Sequence, residues 1–163
     1  VFFSSTVYLS RGGKKMKKKL LMFLTAVSII AGTNLTNTNQ VQAQSNLTED
    51  IEAEGSTGTN ARGQYLMEGT TTIRNAGKGT VAAGGDTTAQ KIVETIQVAV
   101  IVEQYNNGSW SQVYSWRETT HNTVFASTSK VLDVPRGYYY RARGIHSANT
   151  DIANSFTNGI WMG

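Results

Sequence analysis

From Arg62 onward no window of the chain repeats its apolar residues at a helical spacing. Thr, Val, Ile, Tyr and Trp come instead in short runs, broken at Gly69, Gly77, Gly79, Gly84, Gly85, Gly108, Gly137 and Gly159. Branched and aromatic residues suit a pleated, half-buried surface, and a chain without amphipathic helices must cover sheet with sheet. The runs predict strands over 64–67, 71–74, 80–83, 92–104, 109–117, 123–134, 138–146 and 155–162.

The hairpin around Asn106-Asn107-Gly108 decides which side chains enter the core. A two-residue Asn107-Gly108 turn sets Ile101 opposite Tyr114 and Val102 opposite Val113. A three-residue loop, with Gly108 left-handed, sets Val98, Val100 and Val102 opposite Trp116, Tyr114 and Gln112. One residue of slip exchanges the faces. The second register is preferred because it gathers the valines and aromatics on one side, with Trp116 in the core. Gln97, Glu103, Ser111, Ser115 and Arg117 then lie on the other side, where Ala99 and Ile101 suggest a strand covered on both faces at its middle.

In Leu132-Asp133-Val134-Pro135-Arg136-Gly137-Tyr138-Tyr139-Tyr140-Arg141, the order apolar, Pro, Gly, Tyr resembles the tyrosine corner of immunoglobulin-like and fibronectin-type sandwiches. Period two turns Tyr138, Tyr140 and Ala142 inward, and Tyr139, Arg141 and Arg143 outward. The expected fold class is therefore all-β, an antiparallel immunoglobulin/fibronectin-like β-sandwich of seven to eight strands over 62–163.

Charge is distributed unevenly ahead of that domain. Six of the 15 Lys and Arg residues lie in the first twenty positions, and all 11 acidic residues lie at Glu49 or later. Met-Lys-Lys-Lys at 16–19, the thirteen mainly apolar residues 20–32 and a polar run ending Val41-Gln42-Ala43 read as a secretory signal over 16–43, cleaved between Ala43 and Gln44. The apolar run is shorter than the about 20 residues of a membrane-spanning helix, so contact with the membrane is expected only during export. Residues 1–15 precede the charged start of that signal and are expected to be a non-native upstream extension. Beyond Ala43 remain nine basic and eleven acidic residues, a formal charge of −2. A nucleic-acid partner inferred from the whole-chain pI of 9.4 is thereby excluded. Residues 44–61 are acidic, without aromatic residues or period, and predict a disordered spacer.

The strings Arg62-Gly63-Gln64-Tyr65-Leu66, Asn107-Gly108-Ser109-Trp110, Gly137-Tyr138-Tyr139-Tyr140-Arg141 and Thr157-Asn158-Gly159-Ile160-Trp161 resemble those of small secreted Gram-positive β-rich proteins grouped as a domain of unknown function. The resemblance spans 62–161. It implies secretion and a β-rich fold, and brings no catalytic or binding residues with it.

With no cysteine the chain has no disulfide, thiolate zinc site or cysteine nucleophile. His121 and His146 have no partner at a metal-ligand spacing. His146, Asp133 and Asp151 could converge only through the fold, and ordinary exposed side chains are the expected outcome. Ser147 beside His146 lacks a nucleophile elbow, and neighbours on a strand face opposite ways. Gly77-Lys78-Gly79-Thr80 lacks the order of a phosphate loop and reads as a hairpin turn. No catalytic residue, metal site or cofactor is expected. The candidate binding residues are Tyr139, Arg141 and Arg143, on one outward face, and Trp110 at the hairpin tip. An exposed Tyr between guanidiniums suits a sugar or an anionic wall polymer. The expected function is a secreted, non-enzymatic binding or interaction protein, extracellular or held non-covalently at the cell envelope. Its expected partners are a cell-wall polymer, a glycan or a surface protein. A secreted effector acting on other cells and a small hydrolase are the rival readings.

Overall fold

The computed structural model describes residues 46–58 and 63–163. Among them are eight strands and no helix: β1 (Leu47–Thr48), β2 (Glu52–Ser56), β3 (Leu66–Gly77), β4 (Thr80–Asn106), β5 (Ser109–Asp133), β6 (Tyr138–Ala148), β7 (Asp151–Phe156) and β8 (Gly159–Met162). All belong to one mixed sheet curled into a half-barrel, in the order β1-β8-β6-β4-β3-β2, with β5 beside β4 and β7 beside β6. Only the β1–β8 pair is parallel.

The 27 residues of β4 set this shape. One edge of β4 pairs with β5, while the other takes β3 from Thr80 to Ala89 and β6 from Ile96 to Tyr105. Pairing with β5 is irregular between Thr88 and Val93, where Asn122 of β5 has φ 53°, and there the ribbon bends. β3 then packs over β6 and β7. Between them lies a core that includes Leu66, Ile73, Val81, Val98, Val100, Val102, Tyr140, Ile160 and Met162.

Several sequence expectations change, among them the breaks at Gly69, Gly84 and Gly85, which lie inside β3 and β4. The all-β content stands, but the two separate antiparallel sheets of an immunoglobulin-type sandwich are replaced by one sheet whose long strands bend, so that the same ribbon supplies both layers. The spacer expected over 44–61 is not disordered where it is described. β1 pairs with β8, β2 pairs with β3, and the folded domain begins ahead of Arg62. An edge strand gains its hydrogen bonds from the neighbouring backbone and needs no apolar period of its own, so composition did not announce it. The expected strand over 155–162 is broken at Thr157-Asn158 into β7 and β8. Segments 1–15 and 16–43, with Ala43 and Gln44, lie outside the described residues.

The β4–β5 hairpin corrects the loop and keeps the faces. Asn107 (φ 50°) and Gly108 (φ 82°) form a two-residue turn, with Asn106 opposite Ser109. An irregularity after Val102 then moves the register, and Val100 and Val102 meet Trp116 and Tyr114. The slip from the turn and the slip from the bulge cancel in parity, so the valine and aromatic stripes share a side as expected. Trp116 packs on the core only partly buried, its Nε1 donating to Thr128 Oγ1 at 3.1 Å.

The tyrosine corner is present at Tyr140, whose hydroxyl donates to Pro135 O at 2.8 Å and accepts from Gln104 Nε2 at 2.7 Å. Burial pushes the phenol's pKa up. Tyr140→Phe is expected to cost about 1 kcal/mol, since the buried ring loses two partly buried hydrogen bonds, to Pro135 O and from Gln104. Equal urea midpoints for variant and parent would show that the corner bond contributes nothing.

Candidate functional site

Register brings four aromatic side chains into one row across four neighbouring strands. Trp110 of β5 lies opposite Tyr105 of β4, Tyr105 opposite Tyr139 of β6, and Tyr139 opposite Trp161 of β8. Directly opposed residues share a sheet face, so all four project from the side away from the valine core. The rings form two tilted pairs, Tyr105–Trp110 at 5.0 Å and Tyr139–Trp161 at 4.9 Å between centroids. Trp161 keeps 37% of its surface exposed.

One step along the strands follows an ionic row. Glu103 of β4 accepts from Arg141 Nε at 2.6 Å and stands 3.5 Å from Arg143 Nε, while only 8% exposed itself. The Arg141 guanidinium lies 4.5 Å from the Trp110 ring centroid and 5.4 Å from that of Phe156. Tyr139 donates its hydroxyl to Glu49 at 3.0 Å, and that bond to a carboxylate raises the phenol's pKa.

Tyr139, Arg141, Arg143 and Trp110 therefore do share one face, but three of them differ from expectation. The arginines are held by a carboxylate rather than presented to solvent. Trp110 is half-buried, lying across Arg141 and against Gly159 rather than standing free at the tip. Sequence reasoning missed Tyr105, Trp161 and Glu103. Trp161 was quoted in a string yet had no predicted neighbour, because the β6–β8 register cannot be read from a four-residue strand.

The second polar constellation is enclosed. His146 is fully buried between the layers, contrary to the exposed histidine expected. Thr87 donates to Gln97 O at 2.9 Å, which commits its single proton, so His146 Nδ1–H must donate to Thr87 Oγ1 at 2.9 Å. Nε2 of the neutral ring then accepts from Ser155 at 2.7 Å, and Ser155 accepts from Thr71 at 2.5 Å. Burial lowers the His146 pKa to about 4 against a weaker opposing pull from Asp86. The ring fits because Gly69 and Gly144 carry no side chain. A Cβ on Gly69 would meet the imidazole, and one on Gly144 would meet Thr71, His146 and Ser155. Two glycines on facing strands thus make room for one histidine, a relation invisible along the sequence.

Asp151 and Asp133 do not join it. Asp151 instead accepts from the backbone N–H groups of Tyr65 and Leu66, which hold its carboxyl below the usual range. Among the described residues no group of three His, Asp or Glu side chains is placed to hold a metal. Ser147 faces away from His146, as the strand period requires. Lys78 and Gly79, both at positive φ, form the turn expected of Gly77-Lys78-Gly79-Thr80.

The strings quoted above supply three of the four rings in the aromatic row, and residues 29–160 match a family described as a family of unknown function (DUF6147). The chain belongs to that family. Among curated proteins none matches. The family description names no activity, and the chemistry of the site rests on the geometry alone.

A further concavity of about 760 Å³ crosses β2, β3, β4 and β5, floored by Ala82 and Gly84 and bordered by Glu52, Glu54, Arg74 and Lys130. It contains none of the candidate binding residues Tyr139, Arg141, Arg143 and Trp110, and its two carboxylates balance its two cations.

Proposed function

We propose that this member of the family is a secreted, non-enzymatic binding protein that acts outside the cell or at the cell envelope, exported by the signal at 16–43. The observation that carries this reading is the row Trp110, Tyr105, Tyr139 and Trp161 on an outward face. Large aromatic side chains that stay half-exposed in a domain with its own apolar core offer contact area at low entropic cost. A hydrolytic role is disfavoured by the enclosure of the Ser155–His146 pair, which no substrate reaches without unfolding the sheet. In this reading the partner is a component of the wall surface.

The test is sedimentation with purified Gram-positive cell walls. The parent is expected to pellet. A Tyr139→Ala, Trp161→Ala double variant is expected to remain in the supernatant while keeping its thermal midpoint within about five degrees. Arginine substitutions are unsuitable for this purpose, since they would leave Glu103 buried without its partners. A parent that stays in solution, or a folded variant that pellets equally well, overturns the proposal.

A further inference from the structure

We infer that the ligand of this face is an uncharged glycan chain lying along β6, and not an anionic polymer; the inference rests on the binding reading above. An arginine pair on a surface ordinarily invites phosphate or carboxylate groups. Here that invitation is already answered. Glu103 accepts from Arg141 and lies against Arg143, and an incoming anion would have to displace a carboxylate that is only 8% exposed. The nearest charge to the Tyr139–Trp161 pair is the Glu49 carboxylate on the Tyr139 hydroxyl, which repels anions from the platform.

What the aromatic platform itself leaves open to a ligand is neutral chemistry. The ring faces of Trp161 and Tyr139 carry negative charge density, and a pyranose presents its axial C–H bonds as an apolar, faintly positive face that stacks on them. Further along, a groove of about 340 Å³ is floored by Ala99, Ile101 and Ile145 and edged by Gln112, Ser115 and the exposed Arg117, an amide, a hydroxyl and a guanidinium that can each bond sugar hydroxyls. Arg143 lies opposite Ile101 between platform and groove, its buried Nε turned to Glu103 at 3.5 Å and away from a ligand. From Tyr139 to Ile145 the strand runs about 20 Å, the length of about four linked pyranose rings. Stacking at one end and a polar edge at the other, about 20 Å apart, fit a linear oligosaccharide better than a compact ligand.

The experiment titrates the purified protein, by calorimetry and tryptophan fluorescence, with neutral tetrasaccharides of glucose and of N-acetylglucosamine, and in parallel with a glycerol-phosphate polymer. The expected result is binding of at least one tetrasaccharide, with affinity changing less than about twofold between 0.05 M and 0.5 M salt. Trp161→Ala and Tyr139→Ala should each weaken it roughly tenfold or more. Equal thermal midpoints establish that these variants are folded. Binding of the phosphate polymer alone, with strong salt dependence, overturns the neutral-glycan inference and leaves the envelope-binding reading standing. So does sedimentation with walls when both tetrasaccharides fail. Failure of walls, tetrasaccharides and polymer together overturns both.

Discussion

Acidification from pH 7 to pH 4 is expected to remove about 3 kcal/mol of stability through His146 alone. The buried ring is neutral with a folded-state pKa of about 4, lowered chiefly by desolvation from its ordinary 6.5. The unfolded chain therefore takes up the proton first as pH falls. The stability is whole above about pH 6.5, declines through the interval down to about 4, and falls no further through this group at lower pH. Protonation would also make Nε2 a donor, setting it against the Ser155 hydroxyl that now donates to it, and no carboxylate is bonded to the ring to compensate. The Asp151 carboxylate, held below its usual range by two backbone donors, acts in the same direction but in a lower window, below its ordinary value near 3.8. Urea unfolding at a series of pH values checks the assignment. His146→Gln should be less stable than the parent at pH 7 and should show a flatter slope between pH 6.5 and 4.5. If the slope is unchanged in the variant, another group accounts for the acid sensitivity.

The second large effect is expected at Glu103. Glu103→Ala leaves Arg141 and Arg143, whose side chains are 14% and 31% exposed, without a counter-charge in a partly desolvated layer, and should cost about 3 kcal/mol or more. Glu103→Gln keeps an acceptor for Arg141 Nε and should fall between the two. In double-mutant cycles the coupling of Glu103 to Arg141, at 2.6 Å, should exceed that to Arg143, at 3.5 Å. A denaturant midpoint for Glu103→Ala equal to the parent's would show the ionic row to be a solvated surface arrangement. The barrier that Glu103 sets against anions would then lose its support, so this measurement also bears on the class of ligand.

How far the site could be read in advance is clearest from Tyr139 and Trp161. Alternation along a single strand placed Tyr139, Arg141 and Arg143 together, because side-chain period along β6 is a local property. That Trp161 stands against Tyr139, and that Glu103 cancels both arginines, depends on the registers of β6 with β8 and with β4, which join residues 22 and 38 positions apart in sequence. The same holds for Trp110, placed correctly near the turn but wrongly in solvent. The curl of the sheet carries it over Arg141 and against Gly159.

The sequence by itself determined that this chain folds as strands, that turns fall at Gly77-Lys78-Gly79 and at the Asn106-Asn107-Gly108 segment though not the latter's loop length, that Val98, Val100 and Val102 share the core side, and that a tyrosine corner follows Pro135. Each follows from backbone preference or side-chain alternation within about ten residues, where few conformations compete. Tertiary structure alone decided that one bent sheet replaces two, that residues 47–48 and 52–56 complete it as edge strands, that His146 is enclosed by Thr71, Thr87 and Ser155, and that four aromatic residues align across β5, β4, β6 and β8. The physical reason is that backbone pairing is nearly indifferent to side-chain identity at a sheet edge. Strand partners and register are therefore chosen by the packing of the whole domain, through the bend in β4 and the space left at Gly69 and Gly144.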